Sequence, residues 1–326
     1  MQLALPENLS ALVARRFKAA KDGGHLVFSS THLSLVTAAG IPFQLRYCPA
    51  LAKKPTNLKP EPTPKAPKPD PFENPSQDLL IARFPPEKPT HALVLNKFPV
   101  IPNHFILATT DWKAQTDILE QADLEATYAC LKAWDAEKSA SSSKRLFAFF
   151  NSGEDSGASQ PHRHLQFLPT HSRRSSSPSS SPSFQYIPHL PFAHFALPLP
   201  KDADPETLHK TYLTLYRAAV AAAHDDVDGT LRSEGPAAVS YNFAMTLSTM
   251  MICPRKQENA QLPVDIAAAG DIVEPGVVSL NGTILAGTLM VKAEVEWDVM
   301  RSRPELLGSV LAEVGFSSTE AQMALL

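Results

Sequence analysis

Proline decides where this chain can build regular structure. Thirty prolines are spread over 326 residues, and between Pro49 and Pro75 they recur every few positions among lysines (KKPTNLKPEPTPKAPKPDP, 53–71). Each one holds φ near about −65° and removes a backbone donor, so this stretch favours extended polyproline conformations over helix or sheet. A second break, Ser172 to Ser183 (SRRSSSPSSSPS), is serine-rich and has almost nothing to bury. It reads as a surface insertion.

Between these breaks the pattern is α+β. Leu9, Leu12, Val13 and Phe17 recur at helical spacing behind Asn8 or Ser10 as a cap. HLVF (25–28) and HLSLVTAAGIPFQLRYC (32–48) read as strands, with a turn near Ala39-Gly40. LLIARF (79–84), HALVLNKF (91–98) and FILATT (105–110) read as three short strands. A helix is expected next, capped near Thr116-Asp117, with Ile118, Leu119, Ala122, Tyr128, Leu131 and Trp134 as its apolar face. LFAFFN (146–151) and HRHLQFLP (162–169) are strand candidates joined by the loop SGEDSGASQP. PETLHKTYLTLYRAAVAAAH (205–224) reads as a helix with Pro205 in its first turn. YNFAMTLSTMMICP (241–254) and GTLMVKAEV (287–295) read as further strands, and a short helix is expected from about Ser318. Strands and helices run in blocks rather than as regular βαβ units, which favours α+β over a doubly wound fold. Residues 1–326 are read as one domain with a Pro-rich loop, 49–75, and a Ser-rich insertion, 172–183.

Composition removes several function classes. Lys plus Arg number 30 and Asp plus Glu 33, a net charge of −3. General binding to nucleic acid or an anionic membrane needs a clear basic excess, so neither partner is expected. No apolar run approaches the roughly 18 residues needed to span a bilayer. Cys48, Cys130 and Cys253 lie far apart without C-x-x-C spacing, which argues against a disulfide framework or cysteine zinc site and fits a reducing compartment. The N-terminus lacks the apolar core of a secretory signal. A cytoplasmic protein is expected, with the nucleus as a second location, and a monomer.

The sharpest motif is His162-Arg163-His164-Leu165-Gln166-Phe167. On a strand, alternation projects His162, His164 and Gln166 from one face and turns Arg163 to the other with Leu165 and Phe167. Just upstream, Ser156-Gly157-Ala158-Ser159-Gln160 forms a small-residue loop whose backbone N–H groups can face an anion. A neutral histidine nitrogen attacks phosphorus well when its other nitrogen hands a proton to an acceptor. H-x-H also suits a metal site, but glutamine is a poor zinc ligand and no nearby cysteine or acid completes the set. His104, after Pro102-Asn103, reads as a turn or strand-edge residue.

SGASQPHRHLQF resembles the active-site stretch of the histidine triad superfamily, in its transferase branch, where glutamine replaces the third histidine. The chain is most similar to the fungal diadenosine tetraphosphate phosphorylases, also called ATP adenylyltransferases. The resemblance is carried by LNKFPVIPNHFILAT (95–109), NSGEDSGASQPHRHLQF (151–167), YNFAMTLSTMMICPRKQE (241–258) and SLNGTILAGTLMVK (279–292). It implies a histidine-triad/uridylyltransferase-like antiparallel sheet with flanking helices. It implies His164 as the nucleophile that becomes adenylylated, Gln166 as the ligand of the reacting phosphate, and His162 as an orienting neighbour. Asn151 with Gly157, Ala158, Ser159 and Gln160 would hold polyphosphate and ribose. Asn96 and Lys97 resemble a substrate-contacting pair, Lys53 or Lys54 the N-terminal lysine, and Asn281, Gly282, Thr283, Thr288 and Lys292 the C-terminal contacts. Substrates would be a dinucleoside polyphosphate, ATP, ADP and inorganic phosphate. No cofactor or protein metal site is required, although magnesium or manganese can accompany the polyphosphate.

The bridge of such a substrate carries about four negative charges, so a −3 protein must gather cations locally. Lys53, Lys54, Lys97, Lys292 and the Pro254-Arg255-Lys256 turn are the candidates. Within enzymes the rival is a hexose-1-phosphate uridylyltransferase, which shares H-x-H-x-Q but usually has proline between the histidines. Outside enzymes the rival is a nucleotide sensor that kept the fold, which an intact His164 and Gln166 argue against.

Overall fold

The computed structural model describes residues 3–53, 69–136, 144–171, 190–224, 232–265 and 275–317. Its helices are α1 (Leu9–Asp22), α2 (Gln121–Asp135), α3 (Pro205–Ala223), α4 (Glu294–Ser302) and α5 (Leu306–Val314). The strands of its first half are β1 (His32–Ala38), β2 (Ile41–Tyr47), β3 (Leu80–Phe84), β4 (His91–Leu95), β5 (Phe105–Thr109), β6 (Lys144–Ser152) and β7 (His164–His171). Those of the second are β8 (Phe195–Pro198), β9 (Tyr241–Met245), β10 (Thr249–Pro254), β11 (Asn259–Gln261), β12 (Val277–Ser279) and β13 (Thr288–Val291).

Eight strands form one antiparallel sheet in the order β3-β4-β5-β7-β6-β9-β10-β8. Because side chains alternate, the sheet has two distinct faces. Leu93, Phe105, Leu165, Phe167, Phe150 and Phe243 pack on α1, α2 and α3, with Phe105 and Phe167 stacked at 4.7 Å. On the opposite face Phe147, Phe149, Leu168 and Met251 pack on Phe43, Leu45, Leu289 and Val291 of a small β1-β2-β13 sheet. His164 and Gln166 share this second face with Leu168, opposite Ala108 and Ile106 of β5. The site therefore lies on the face of the small sheet, away from α1, α2 and α3.

Local signals account for most element ends. The Asn8 side chain accepts from the Ser10 and Ala11 N–H groups and caps α1. Ala39 and Gly40 both take positive φ, 49° and 75°, as a two-residue hairpin between β1 and β2 requires. Asp204 caps α3 through the Thr207 N–H at 2.8 Å.

Several expectations are corrected. HLVF is not a strand: Val27 is exposed, and the segment's bonds run from Val27 and Ser29 to the Lys97 and Pro99 carbonyls rather than along a ladder. Helix α2 starts at Gln121, not near 116–117. The Glu120 N–H is taken by the Asp123 carboxylate at 2.8 Å, while the Ile118 and Leu119 N–H groups bond outward to the Gly235 carbonyl and the Tyr212 hydroxyl. Ile118 and Leu119 are buried ahead of the helix. The strand at 287–295 ends at Val291, because the Glu296 carboxylate captures the Lys292 and Ala293 N–H groups and starts α4. The Ser-rich insertion, Lys54 to Lys68 of the Pro-rich stretch and the helix expected from Ser318 lie outside the described residues.

Candidate active site

Strand β7 begins at His164, so His162 stands just before the ladder and only bridges Ala114. The strand expected from 162 is two residues shorter there. The His164 Nδ1–H donates to the His162 carbonyl at 2.8 Å, leaving the Nε2 lone pair free, with no hydrogen-bond partner among the described residues. Burial pushes this imidazole down to about 4, against the opposing pull of that carbonyl, so the ring is neutral at physiological pH. It is 3% exposed.

The backbone of His164 is pinned by Gln115, which the sequence reading missed. Its amide oxygen accepts the His164 N–H at 2.8 Å, and its Nε2 donates to the carbonyls of Asn151 (2.7 Å) and His164 (3.3 Å). One buried amide thus ties the strand of His164 to the neighbouring strand where their ladder ends.

A chain of four groups sets the orientation of Gln166. The Phe98 N–H donates to Asn96 Oδ1 at 2.9 Å, so the Asn96 amide nitrogen must face His104 Nδ1, 3.0 Å away. That nitrogen is then an acceptor and His104 Nε2 carries the proton. It donates to Gln166 Oε1 at 3.0 Å. Among the described residues the Gln166 NH₂ has no acceptor, so its two N–H donors remain available. Burial also pushes His104 down to about 4, consistent with a neutral ring in this relay. His104 is thus a positioning residue rather than a mere turn residue, and Asn96 serves its tautomer. Gln166→Ala is expected to slow transfer more than about tenfold, or ~1.4 kcal/mol. His104→Phe keeps the ring shape, removes the orienting N–H and is expected to approach the same loss. Steady-state turnover checks both, and near-normal rates in Gln166→Ala would remove its role.

His162 has both nitrogens engaged. Nδ1 meets Asp70 Oδ2 at 2.5 Å, and Nε2 meets the Thr109 hydroxyl at 2.9 Å. Asp70 belongs to the stretch read as a loose Pro-rich loop, so the end of that stretch is packed into the site. Arg163 turns to the other face, as alternation requires, and is buried against charge. Its guanidinium meets Asp123 at 3.0 Å and Glu120 at 2.9 Å, and His91 Nε2 holds the other Asp123 oxygen at 3.0 Å.

Asn151 joins the two halves of the chain. Its side-chain oxygen accepts from the Gly282 N–H (2.9 Å) and from Asn242 (3.0 Å). Gly157 (φ 78°) allows the catalytic loop to touch the C-terminal motif, since a Cβ there would stand 2.7 Å from Asn281 Cβ. A Cβ at Gly282 would lie 2.6 Å from the Phe149 ring. Asn281 caps its own turn through the Thr283 N–H, and the Thr283 hydroxyl donates to the Thr288 carbonyl. These groups brace the C-terminal turn against the loop. Ala158 and Gln160 are half-buried, Ser159 and Lys97 exposed, and Lys292 half-buried. Lys53 ends a short 3-10 turn, Pro49–Lys53, and Lys54 lies outside the described residues. Arg255 is corrected as a phosphate ligand. It is buried and donates to Asn242 and to the Gln257 and Leu280 carbonyls, so its charge serves the scaffold. Among the described residues no group of three or more His, Cys, Asp or Glu side chains gathers to hold a metal ion, and no helix is long and apolar enough to cross a membrane.

Residues 1–181 match the model of the Ap4A phosphorylase N-terminal domain and residues 188–317 that of the ATP adenylyltransferase C-terminal domain. The chain is 30% identical over 339 residues to Protein APA1 of Saccharomyces cerevisiae, with 98% of each chain covered. It is 28% identical over 337 residues to that yeast's diadenosine tetraphosphate phosphorylase 2, again covering 98% of each. The crystal structure of yeast Ap4A phosphorylase Apa2 superimposes with a TM-score of 0.77 at 25% identity, covering 97% of this chain and 99% of that one. The same yeast protein in complex with Ap4A gives 0.76 at 25% identity over 97% and 99%. The chain belongs to the Ap4A phosphorylase, or ATP adenylyltransferase, family.

Proposed function

We propose that this chain cleaves diadenosine tetraphosphate with inorganic phosphate to ATP and ADP through an adenylyl group on His164. The observation that carries the reading is the pairing of a neutral His164, its Nε2 unspent, with a Gln166 amide whose NH₂ is aimed by His104. His164 Nε2 attacks the α-phosphorus and ATP leaves as a stable anion, so no carboxylic acid need protonate it. Phosphate then displaces AMP from Nε2, giving ADP. Gln166 and the backbone of the 157–160 loop stabilise charge on the transferring oxygens, the term that usually dominates such chemistry. Run backwards, the same half-reactions join ATP and ADP, so concentrations set the direction.

The relatives whose structures hold AMP and Ap4A support nucleotide binding on this fold. Lys97, Lys292 and the 53–54 lysines are read as partners of the polyphosphate, Asn281 to Thr283 and Thr288 as the wall of that groove. A magnesium or manganese ion would arrive with the substrate, and the chain would act as a monomer. The test is the choice of acceptor. With phosphate present, ATP and ADP should form in equal amounts; AMP and ATP as the main products would make the protein a hydrolase and overturn the reading.

A further inference from the structure

The turn that ends the Pro-rich stretch is closed by a single carboxylate. Asp70 Oδ1 accepts the Phe72 N–H at 2.9 Å, and Oδ2 takes His162 Nδ1. Pro71 between them fixes its own φ. Phe72 is 5% exposed, and its ring lies over His164, with centroids 5.0 Å apart and planes 35° apart. It meets His162 edge-on at 5.8 Å, and Ile106 and Ala108 complete the small apolar cluster. The Nε2 lone pair lies in the plane of the imidazole, so a ring tilted against its face covers the nucleophile without standing in the line of attack.

We propose that the Asp70–Phe72 clip reserves the adenylyl group on His164 for phosphate and denies it to water. This rests on the nucleotidyl-transfer reading above. The two acceptors differ in what they need. A phosphate dianion brings a nucleophilic oxygen that has no proton to lose. It forms the new P–O bond as the Nε2–P bond breaks, the electron pair returning to Nε2, and ADP leaves. Water must also shed a proton as it forms the P–O bond of AMP, a step that a positioned base speeds. Nearby, the His162 Nε2 lone pair already accepts the Thr109 hydroxyl proton while Nδ1–H donates to Asp70, and His164 Nδ1–H donates to a carbonyl. Phe72 also offers water no hydrogen bond on that side. Phosphate brings its own anionic oxygen, whereas water meets an apolar ring and no free base there.

The test uses the full-length protein, adenylylated with labelled diadenosine tetraphosphate and freed of nucleotide. Each preparation is divided between buffer with and without phosphate, and ADP and AMP release are timed. Phe72→Ala and Asp70→Asn are expected to speed AMP release about tenfold or more, as water gains access to the phosphorus. ADP formation should gain less. Phe72→Leu should restore most of the protection. Should the alanine variant not fold, Asp70→Asn keeps the side-chain shape, weakens the anchor of the turn that carries Phe72 and gives the same reading. AMP release unchanged in Asp70→Asn, or rising only in step with ADP formation, would overturn the proposal. A wild-type chain that never acquires the adenylyl group counts against the parent reaction instead, because the clip is read only after that group is in place.

Discussion

His164→Ala is expected to lower phosphorolysis by about 10³-fold or more, since it removes the proposed nucleophile. His162 stands two residues away, yet both its nitrogens are engaged and its ring stands before the strand rather than on it. The fold should survive the change. The two bonds that pin the backbone of residue 164 come from Gln115 to main-chain atoms, and what is lost is the ring's bond to the His162 carbonyl and its contact with Phe72. Thermal unfolding close to the unaltered protein, with nucleotide binding kept and kcat lost, is the expected pattern. Activity within tenfold would remove His164 as the nucleophile.

The second large effect is on stability. Arg163→Met is expected to destabilise the protein by about 3–5 kcal/mol, because it leaves the Asp123 carboxylate buried without its cation. Burial alone pushes Asp123 up, but the His91 hydrogen bond and the Arg163 charge outweigh it and hold the group below its usual range. A carboxylate lowered in the folded state adds stability that is complete above its unfolded value and drains away as pH falls through the folded one. With Arg163 gone, that loss should start at a higher pH. The rim partners Glu120 and Asp117 are partly exposed and contribute little of this. Replacing Arg163 and Asp123 together by apolar residues should cost less than Arg163→Met alone. Urea unfolding at neutral pH and the acid midpoint measure both. A single variant within about 1 kcal/mol of the unaltered protein would show the cluster to be energetically idle.

These two residues also show what a sequence can and cannot reveal. Alternation along 164–168 puts His164, Gln166 and Leu168 on one face because the period of a strand is local, and the same rule turns Arg163 away. The Asn8 cap and the Ala39-Gly40 turn are equally local, one side chain or two dihedral angles each. Helix α5 carried a readable signal too, with Leu307, Val310, Leu311 and Val314 at helical spacing and all buried. What stayed hidden is long-range. Gln115 grips His164 across 49 positions, His104 reaches Gln166 across 62, and Asp70 reaches His162 across 92. No period or motif links such pairs, since each depends on which strands become neighbours. Arg255 failed in the opposite direction. It looked like a free cation in a turn, but the nearby carbonyls and Asn242 bury it.

The placement of the adenylyl group tests the whole account. Full-length protein is mixed with diadenosine tetraphosphate in the absence of phosphate, kept alkaline to preserve a phosphoramidate, digested and mapped by mass spectrometry. One AMP on the peptide at residue 164, released as ADP once phosphate is added, is the predicted result. AMP on any other side chain, or ATP and ADP formed with no adduct at any time, would contradict it.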